Sequence, residues 1–502
     1  MSSLYDLLII GGGIHGAGIA RDAAGRGLNV ALCEAGDFAG ATSSASSKLI
    51  HGGLRYLEYG DVRLVRDALH ERETLLRIAP HITRPLRFVL PHVPHLRPAW
   101  MIRLGLVLYD YLNLRSTLAA SQGVDLRTSP YGAPLAPAIR KGFVYSDGWI
   151  DDARLVILNL QSAAQRGAHI LSRTRFVSAL PGPEGWQVQL ATEGDEAIQV
   201  QARVLINAAG PWVDAVRAAL SPSWAARTRL VKGSHIVVPA LYSGDHAYIL
   251  QAEDRRVVFL LPFAGAHTLI GTTDMPVTSP AAPAHASQEE VQYLCAAASR
   301  FLREPITSDR VVHSFAGVRA LLDDGHANAS AVSRDYALLL ETLDDAGVLS
   351  IVGGKLTTYR VLAEKALDKL QRYFPEMRGK SWTGNEPLPG GDLSAGGMSG
   401  LLVNLRARYP HLPAALLEAL AHRHGTLTTH VLSDADSEAD LGMDFGAGLY
   451  TREVDYFIDR EWACTADDVL WRRTKAGLQL DERAHSALSE YMEARIANRR
   501  PA

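Results

Sequence analysis

Residues 4–34 read LYDLLIIGGGIHGAGIARDAAGRGLNVALCE. The apolar run 4–10 predicts a buried parallel strand, GGGIHGAG a turn that opens a helix carrying IARDAAGRG, and NVALCE a second strand. A βαβ unit at the start of the chain is the result. Gly11, Gly13 and Gly16 form a GxGxxG pattern at the strand-to-helix turn, and Glu34 follows eighteen residues after the last glycine. Glycines there allow a tight turn and close backbone approach to a pyrophosphate, the helix N-terminus adds partial positive charge, and an acidic residue can accept from ribose hydroxyls. The pattern predicts dinucleotide binding without separating NAD from FAD.

The next segment helps to separate them. ATSSASSKLIHGGLRYLEYG, residues 41–60, stands where a nicotinamide domain would continue its winding with a helix. It offers the hydroxyls of Thr42, Ser43, Ser44, Ser46 and Ser47, then Lys48, His51 and the Gly52-Gly53 pair. An extended dinucleotide such as FAD passes deeper into a protein, and small donors can follow it with little steric hindrance. A flexible serine linker would need neither the cation nor the double glycine. Two later segments fit the same path. LINAAGPWVD (205–214) puts Ala208, Ala209 and Gly210 at a strand end, and SIVGGKLTTYR (350–360) puts Gly353 and Gly354 before a helix whose amides could stabilise a reduced flavin.

Around this core the chain is globular and long enough for several domains: 502 residues, 47% hydrophobic, 21% charged. A net charge of −3 lacks the basic excess of a nucleic-acid binder. Cys33, Cys295 and Cys464 lie far apart without a CxxC, suggesting neither a zinc site nor a disulfide framework, and a reducing compartment fits. The start lacks a signal peptide's basic region, and no stretch reaches 18 uninterrupted apolar residues. Residues 80–103, with five prolines, suit an excursion from the first domain. HIVVP, AYILQ, RVVFLLP and HTLIGTTD, between Leu230 and Asp274, predict a second, substrate-facing sheet. The tract LPGGDLSAGGMSG (388–400) reads as a linker to a charged, helical remainder.

Taken together, GGGIHGAGIARDAAGRG, TSSASSKLIHGGLRYLE, KGSHIVVP, IGTTD, AGVRALLDD, VGGKLTTYR and TADDVLWRRTKAGL resemble the aerobic, FAD-dependent glycerol-3-phosphate dehydrogenases from about residue 5 into the C-terminal helices. Two departures are His15, where the family more often has Asn, and AGVRAL in place of SGVRPL. The resemblance implies an α/β protein. Its FAD-binding Rossmann-like domain, of the glutathione-reductase type, would comprise 1–80, 141–215 and 345–380. A β-sheet substrate domain would take 81–140 and 216–344, and a C-terminal helical cap 390–502.

The implied FAD contacts are Gly11, Gly13, Gly16, Glu34, Thr42, Ser43, Ser46, Ser47, Lys48, Gly52, Ala209, Gly210, Gly353, Gly354, Leu356 and Thr357. Oxidising sn-glycerol 3-phosphate to dihydroxyacetone phosphate needs cations for the phosphate, a base for the C2 hydroxyl and a hydride acceptor. By the motif match Arg55, Thr272 and Lys355 would hold phosphate with Tyr56 as a further donor, His235 would accept the proton, and Arg319 would orient the C2 oxygen. Arg334 stands open between a substrate contact and a structural ion pair.

The family passes electrons to membrane quinone as a peripheral protein on the inner face of the cytoplasmic membrane. Two lipid-contact candidates follow here: the helix TTYRVLAEKALDKLQRYF, with Leu362, Ala366 and Leu370 on one face, for which packing on the sheet is the favoured reading, and WRRTK at 471–475. A homodimer is possible. An oxygen-using oxidase and a non-catalytic partner-binding protein on the same fold are the alternatives.

Overall fold

The computed structural model describes residues 4–498 except 55, 56, 58–60, 94, 95, 113–115, 195, 253, 255, 281–283, 324–335, 378 and 380. Leu4–Ile10 forms the middle of an eight-stranded sheet, pairing in parallel with Val30–Cys33 on one side and Ala197–Asn207 on the other. Its side chains alternate as a two-faced strand requires. Leu7 and Ile9 enter a core with Ile14–Gly25, Asp152–Ala164 and Tyr359–Lys369, whereas Leu8 and Ile10 enter another with Trp186, Val188 and Leu190 of an antiparallel meander. All four are 5% exposed or less, and each contributes about 1.5–3 kcal/mol of burial. The parallel order continues through Ala346–Val352 beyond Ala197–Asn207 and through His169–Leu171 beyond Val30–Cys33.

A second, ten-stranded sheet is organised around Thr228–Pro239, which pairs antiparallel from Thr228 to Val237 with His313–Leu322 and near its end with His267–Gly271. Apolar clusters cover both of its faces. The remaining chain folds as helices, including Gly397–Arg408, Ala414–His424, Thr451–Glu461 and Glu482–Ala497.

Sheet membership departs from the sequence-based division in three places. Leu49–Ile50 and Lys141–Ile150 belong to the second sheet, because Lys141–Ile150 pairs with Thr83–Pro91 from Ile150–Thr83 through Gly142–Pro91. Ala337–Leu343 belongs to the first sheet, because a two-residue turn at Asp344 and Asp345, both with positive φ (46° and 68°), folds it back on Ala346–Val352. That turn is the kind that suits hairpin twist, although Asp-Asp is a weaker signal than Asn-Gly. The 388–400 tract is no loose linker either. Leu388 is 1% exposed, its N–H donates to Ile78 O (2.8 Å), and Thr426 N–H donates to Gly390 O (3.1 Å).

The C-terminal helices are tied to the first domain by charge. Arg473, fully buried, donates to both Asp37 oxygens (2.6 and 2.7 Å); Arg154 meets Glu461 (2.8 Å); and Arg173 reaches Asp468 (3.0 Å). Each pair couples residues roughly 300 or more apart in sequence.

Candidate active site

The GxGxxG turn has the geometry of a close-approach site. Gly11 has φ +109°, and a Cβ there would stand 2.6 Å from Ala208 O; a Cβ on Gly16 would stand 2.0 Å from Gly11 O. Only glycine permits this crossing of the turn with the Asn207–Gly210 loop. Glu34 closes it from the second strand, accepting from Gly12 N (2.7 Å) and Gly36 N (2.9 Å). Burial pushes its carboxyl up, and the two amides oppose that shift. The helix Ile14–Gly25 has no side-chain cap from Gly13, and Ile14 N–H donates to Ser43 Oγ (2.9 Å).

The hydroxyl-rich loop turns out to be a seam between the two sheets. Thr42 Oγ1 donates to Val318 O (2.5 Å) of the second sheet, while Ser43 accepts from the first helix. Ser46 Oγ donates to Asp152 (2.7 Å), and Ser47 Oγ lies 2.9 Å from His235 Nε2. A Cβ on Gly317 would meet Ala45 Cβ at 2.9 Å, so this strand can carry the loop only with glycine there. Lys48 is held by the protein itself. It is 1% exposed and donates to both Asp152 oxygens (2.8 and 2.9 Å) and to Ser44 O (2.9 Å). A buried ammonium needs a full complement of acceptors, and Asp152 at the start of its helix provides them.

On the second sheet, register brings the remaining residues together. His235 is opposite Gly271 on one neighbour and Phe315 on the other, and its ring stacks on Phe315 at 5.0 Å. Arg319 lies over Gly233, where a Cβ would be 2.7 Å from its Nη2. Its guanidinium donates to Asp274 (2.5 Å) and to Thr272 Oγ1 (3.4 Å). Burial, then the charges of Lys48 and Arg319, lower the His235 pKa to about 3. The ring is therefore neutral near pH 7. It is also 1% exposed and its Nδ1 has no hydrogen-bond partner, so its outward connection is through half-buried Ser47.

The second glycine turn, Gly353–Gly354, presents half-buried Lys355 ahead of Leu356–Thr358 and the helix Tyr359–Lys369. His15 packs beneath it, and a Cβ on Gly354 would strike the His15 ring at 2.6 Å. Burial lowers the His15 pKa to about 4, and its Nε2 is unpartnered. Ala209 and Gly210 begin a short helical turn beside the first glycine turn, Leu356 is half-buried, and Thr357 is buried. Gly52 is buried, with its N–H donating to Tyr109 Oη (2.9 Å). Arg55, Tyr56 and Arg334 lie outside the described residues.

Sequence reasoning passed over Asp274, Asp152, Gly233 and Phe315. Asp274 was visible as the last residue of IGTTD, but no spacing rule connects it to a residue 45 positions later. Both lipid-contact candidates are engaged by protein. Leu362, Ala366 and Leu370 are fully buried, Arg360 pairs with buried Glu71 (2.6 Å), and Lys369 Nζ donates to Leu338 O (2.7 Å). In WRRTK, Arg472 and Arg473 meet Asp37, and Trp471 stacks on His313 at 4.2 Å.

These glycine turns and the seam between two sheets fit an extended flavin dinucleotide, and the comparisons agree. Residues 6–360 match the FAD dependent oxidoreductase family and residues 381–496 the C-terminal domain of alpha-glycerophosphate oxidase; the chain belongs to that FAD-dependent family. Within it the chain stands with the glycerol-3-phosphate dehydrogenases. It is 49% identical to the glycerol-3-phosphate dehydrogenase of Pseudomonas aeruginosa over 99% of this chain and 97% of that one. It is also 48% identical to the D-erythritol 1-phosphate dehydrogenase of Brucella abortus, over 97% of each chain. Among solved structures, the Bacillus halodurans glycerol-3-phosphate dehydrogenase complexed with FAD superposes with TM-score 0.75 at 27% identity, covering 98% of this chain and 94% of that one. FAD is the cofactor.

Proposed function

We propose that this enzyme oxidises sn-glycerol 3-phosphate to dihydroxyacetone phosphate and passes the electrons to a quinone while resting on a membrane surface. The observation that carries the reading is the juxtaposition, on one strand pair, of an anchored cation and a hydrogen-bonded neutral imidazole: Arg319 on Asp274 and Thr272, and His235 on Ser47. The full-length likeness to dehydrogenases of phosphorylated polyols supports the substrate class.

Bound FAD would supply the two-electron acceptor for the C2 hydrogen. Gly11, Gly13, Gly16, Ala209 and Gly210 would admit its pyrophosphate, with Glu34 toward the ribose and Gly353, Gly354, Leu356 and Thr357 toward the flavin. Arg319, held on Asp274, would orient the C2 oxygen. As the C2–H bond breaks with its electron pair and C2=O forms, the hydroxyl proton leaves through Ser47 Oγ to His235 Nε2. Phe315 and the packed strand exclude water behind that ring. Lys355 and Thr272, with Arg55, Tyr56 and Arg334, would meet the phosphate.

The 48% identity to an erythritol-phosphate dehydrogenase gives a second substrate reading in the same class. Anaerobic titration of the oxidised holoenzyme separates them. Glycerol 3-phosphate is expected to bleach the flavin bands at lower concentration than D-erythritol 1-phosphate; the reverse order would move the substrate assignment. Stopped-flow reoxidation tests the acceptor: fast reaction with air and a poor response to a quinone analogue would make the protein an oxidase. Failure to take up FAD would leave a binding protein.

A further inference from the structure

The helix Ala99–Tyr111 lies in the proline-rich excursion that the proposed chemistry does not use. Its only exposed residues are Trp100, Leu104, Leu108 and Tyr111, at 67, 61, 44 and 65%. Spacings of four, four and three place them on one face, along about 16 Å of helix axis. Other large apolar residues that are exposed, such as Leu180, Val403 and Met443, belong to different elements, so this stripe is a concentration of apolar surface rather than ordinary scatter.

The opposite face is fixed to the protein. Leu106 and Tyr109 are buried; Tyr109 Oη donates to Asp147 (2.8 Å) and accepts from Gly52 N (2.9 Å). The stripe is thus held outward on a packed helix.

Charge indicates the occupant. Residues 97–112, the helix and its immediate flanks, contain Arg97 and Arg103 against a single acidic residue, Asp110, although the whole chain is slightly acidic. Asp110 accepts from Ser121 Oγ (2.5 Å) and its N–H (2.9 Å), while Arg97 is exposed immediately before the helix. A rigid apolar face with indole and phenol rings at its two ends, flanked by arginines, matches the interfacial zone of an anionic bilayer. No described helix is long and apolar enough to cross a membrane, so this contact would lie in the interface plane.

We propose that Trp100, Leu104, Leu108 and Tyr111 form the surface that seats the enzyme on an anionic lipid bilayer. The inference rests on the peripheral-membrane reading above and gives it a location different from both lipid-contact segments expected from sequence.

The test is flotation of the holoenzyme with phosphatidylcholine vesicles, with and without phosphatidylglycerol. The native chain is expected to float with the anionic vesicles and to lose much of that binding at about 0.5 M salt. The triple variant Trp100→Gln/Leu104→Gln/Leu108→Gln should bind at least about tenfold more weakly. Its flavin spectrum and turnover with a soluble dye acceptor should match the native enzyme, and Val403→Gln, an exposed position on the helix Gly397–Arg408, should float normally. If the triple variant floats like the native chain, this surface is wrong while the membrane reading stands. If the native chain binds neither vesicle, both fall. A native dimer that the triple variant converts to monomer, without vesicle binding by either, would assign the face to a second copy and overturn the lipid proposal.

Discussion

Replacing Lys48 by methionine tests whether this lysine serves the cofactor or the protein. Lys48 and Asp152 are 2% and 0% exposed at their side chains, and the ammonium touches both carboxylate oxygens. Breaking a buried pair by removing one partner ordinarily costs about 3–5 kcal/mol. Asp152 would retain Ser46 Oγ, Ser46 N–H and Ala153 N–H, so the expected loss lies toward the lower end, about 3 kcal/mol. At roughly 2 °C per kcal/mol for a large domain, Lys48→Met should lower the thermal midpoint of the apoprotein by about 6 °C. Lys48→Met/Asp152→Asn should recover at least half of this, because no uncompensated charge remains. Scanning fluorimetry measures the midpoints, and recovery of free-FAD fluorescence on dilution measures cofactor affinity. An unchanged apoprotein midpoint together with much weaker FAD binding would refute the ion-pair argument and return Lys48 to the dinucleotide.

Lys355→Met is predicted to raise KM for glycerol 3-phosphate far more than for glycerol, as is Arg55→Ala; steady-state assays showing equal effects on both substrates would remove these cations from the phosphate. His235→Gln and Ser47→Ala should each slow flavin reduction at saturating substrate, by about 10²-fold or more for the histidine. An unchanged stopped-flow rate in Ser47→Ala would exclude the hydroxyl as the outward connection. Acid should destabilise the fold through buried histidines. His81 has no partner at either ring nitrogen, and burial, then nearby Arg154, lowers its pKa to about 3. Between about 3 and the unfolded value near 6.5, the unfolded chain binds the extra proton. Its contribution is therefore fully present above that window and is lost as pH falls through it, amounting to about 2 kcal/mol at pH 5. His81→Leu should reduce the difference between urea midpoints at pH 5 and pH 8, and an unchanged difference would contradict the assignment.

The nucleotide-binding end was legible because its signals are local. A glycine turn, its flanking strand and helix, and Glu34 lie within thirty-one consecutive residues, and backbone sterics permit few substitutions at such a crossing. The motif resemblance likewise singled out His235, Thr272 and Arg319. Their actual connections were not visible in it. His235 was expected as the proton acceptor; strand register, which the motif does not show, buries it between Gly271 and Phe315 and leaves Ser47 as its partner.

Amphipathic patterning is ambiguous for a related reason. The 359–370 helix has the same alternation whether its apolar side meets lipid or protein, and packing against the first sheet decides for protein. Ala99–Tyr111, apolar on nearly every side, would read as a core helix, and only its packing by one side on a face of the second sheet leaves a stripe exposed. The βαβ start, the second β-rich region and the cofactor class were legible in the chain alone, because they rest on contacts between near neighbours. The tertiary structure decided which charges pair, which histidine nitrogen faces outward and which apolar face is uncovered, because those depend on residues brought together from 45 to more than 400 positions apart.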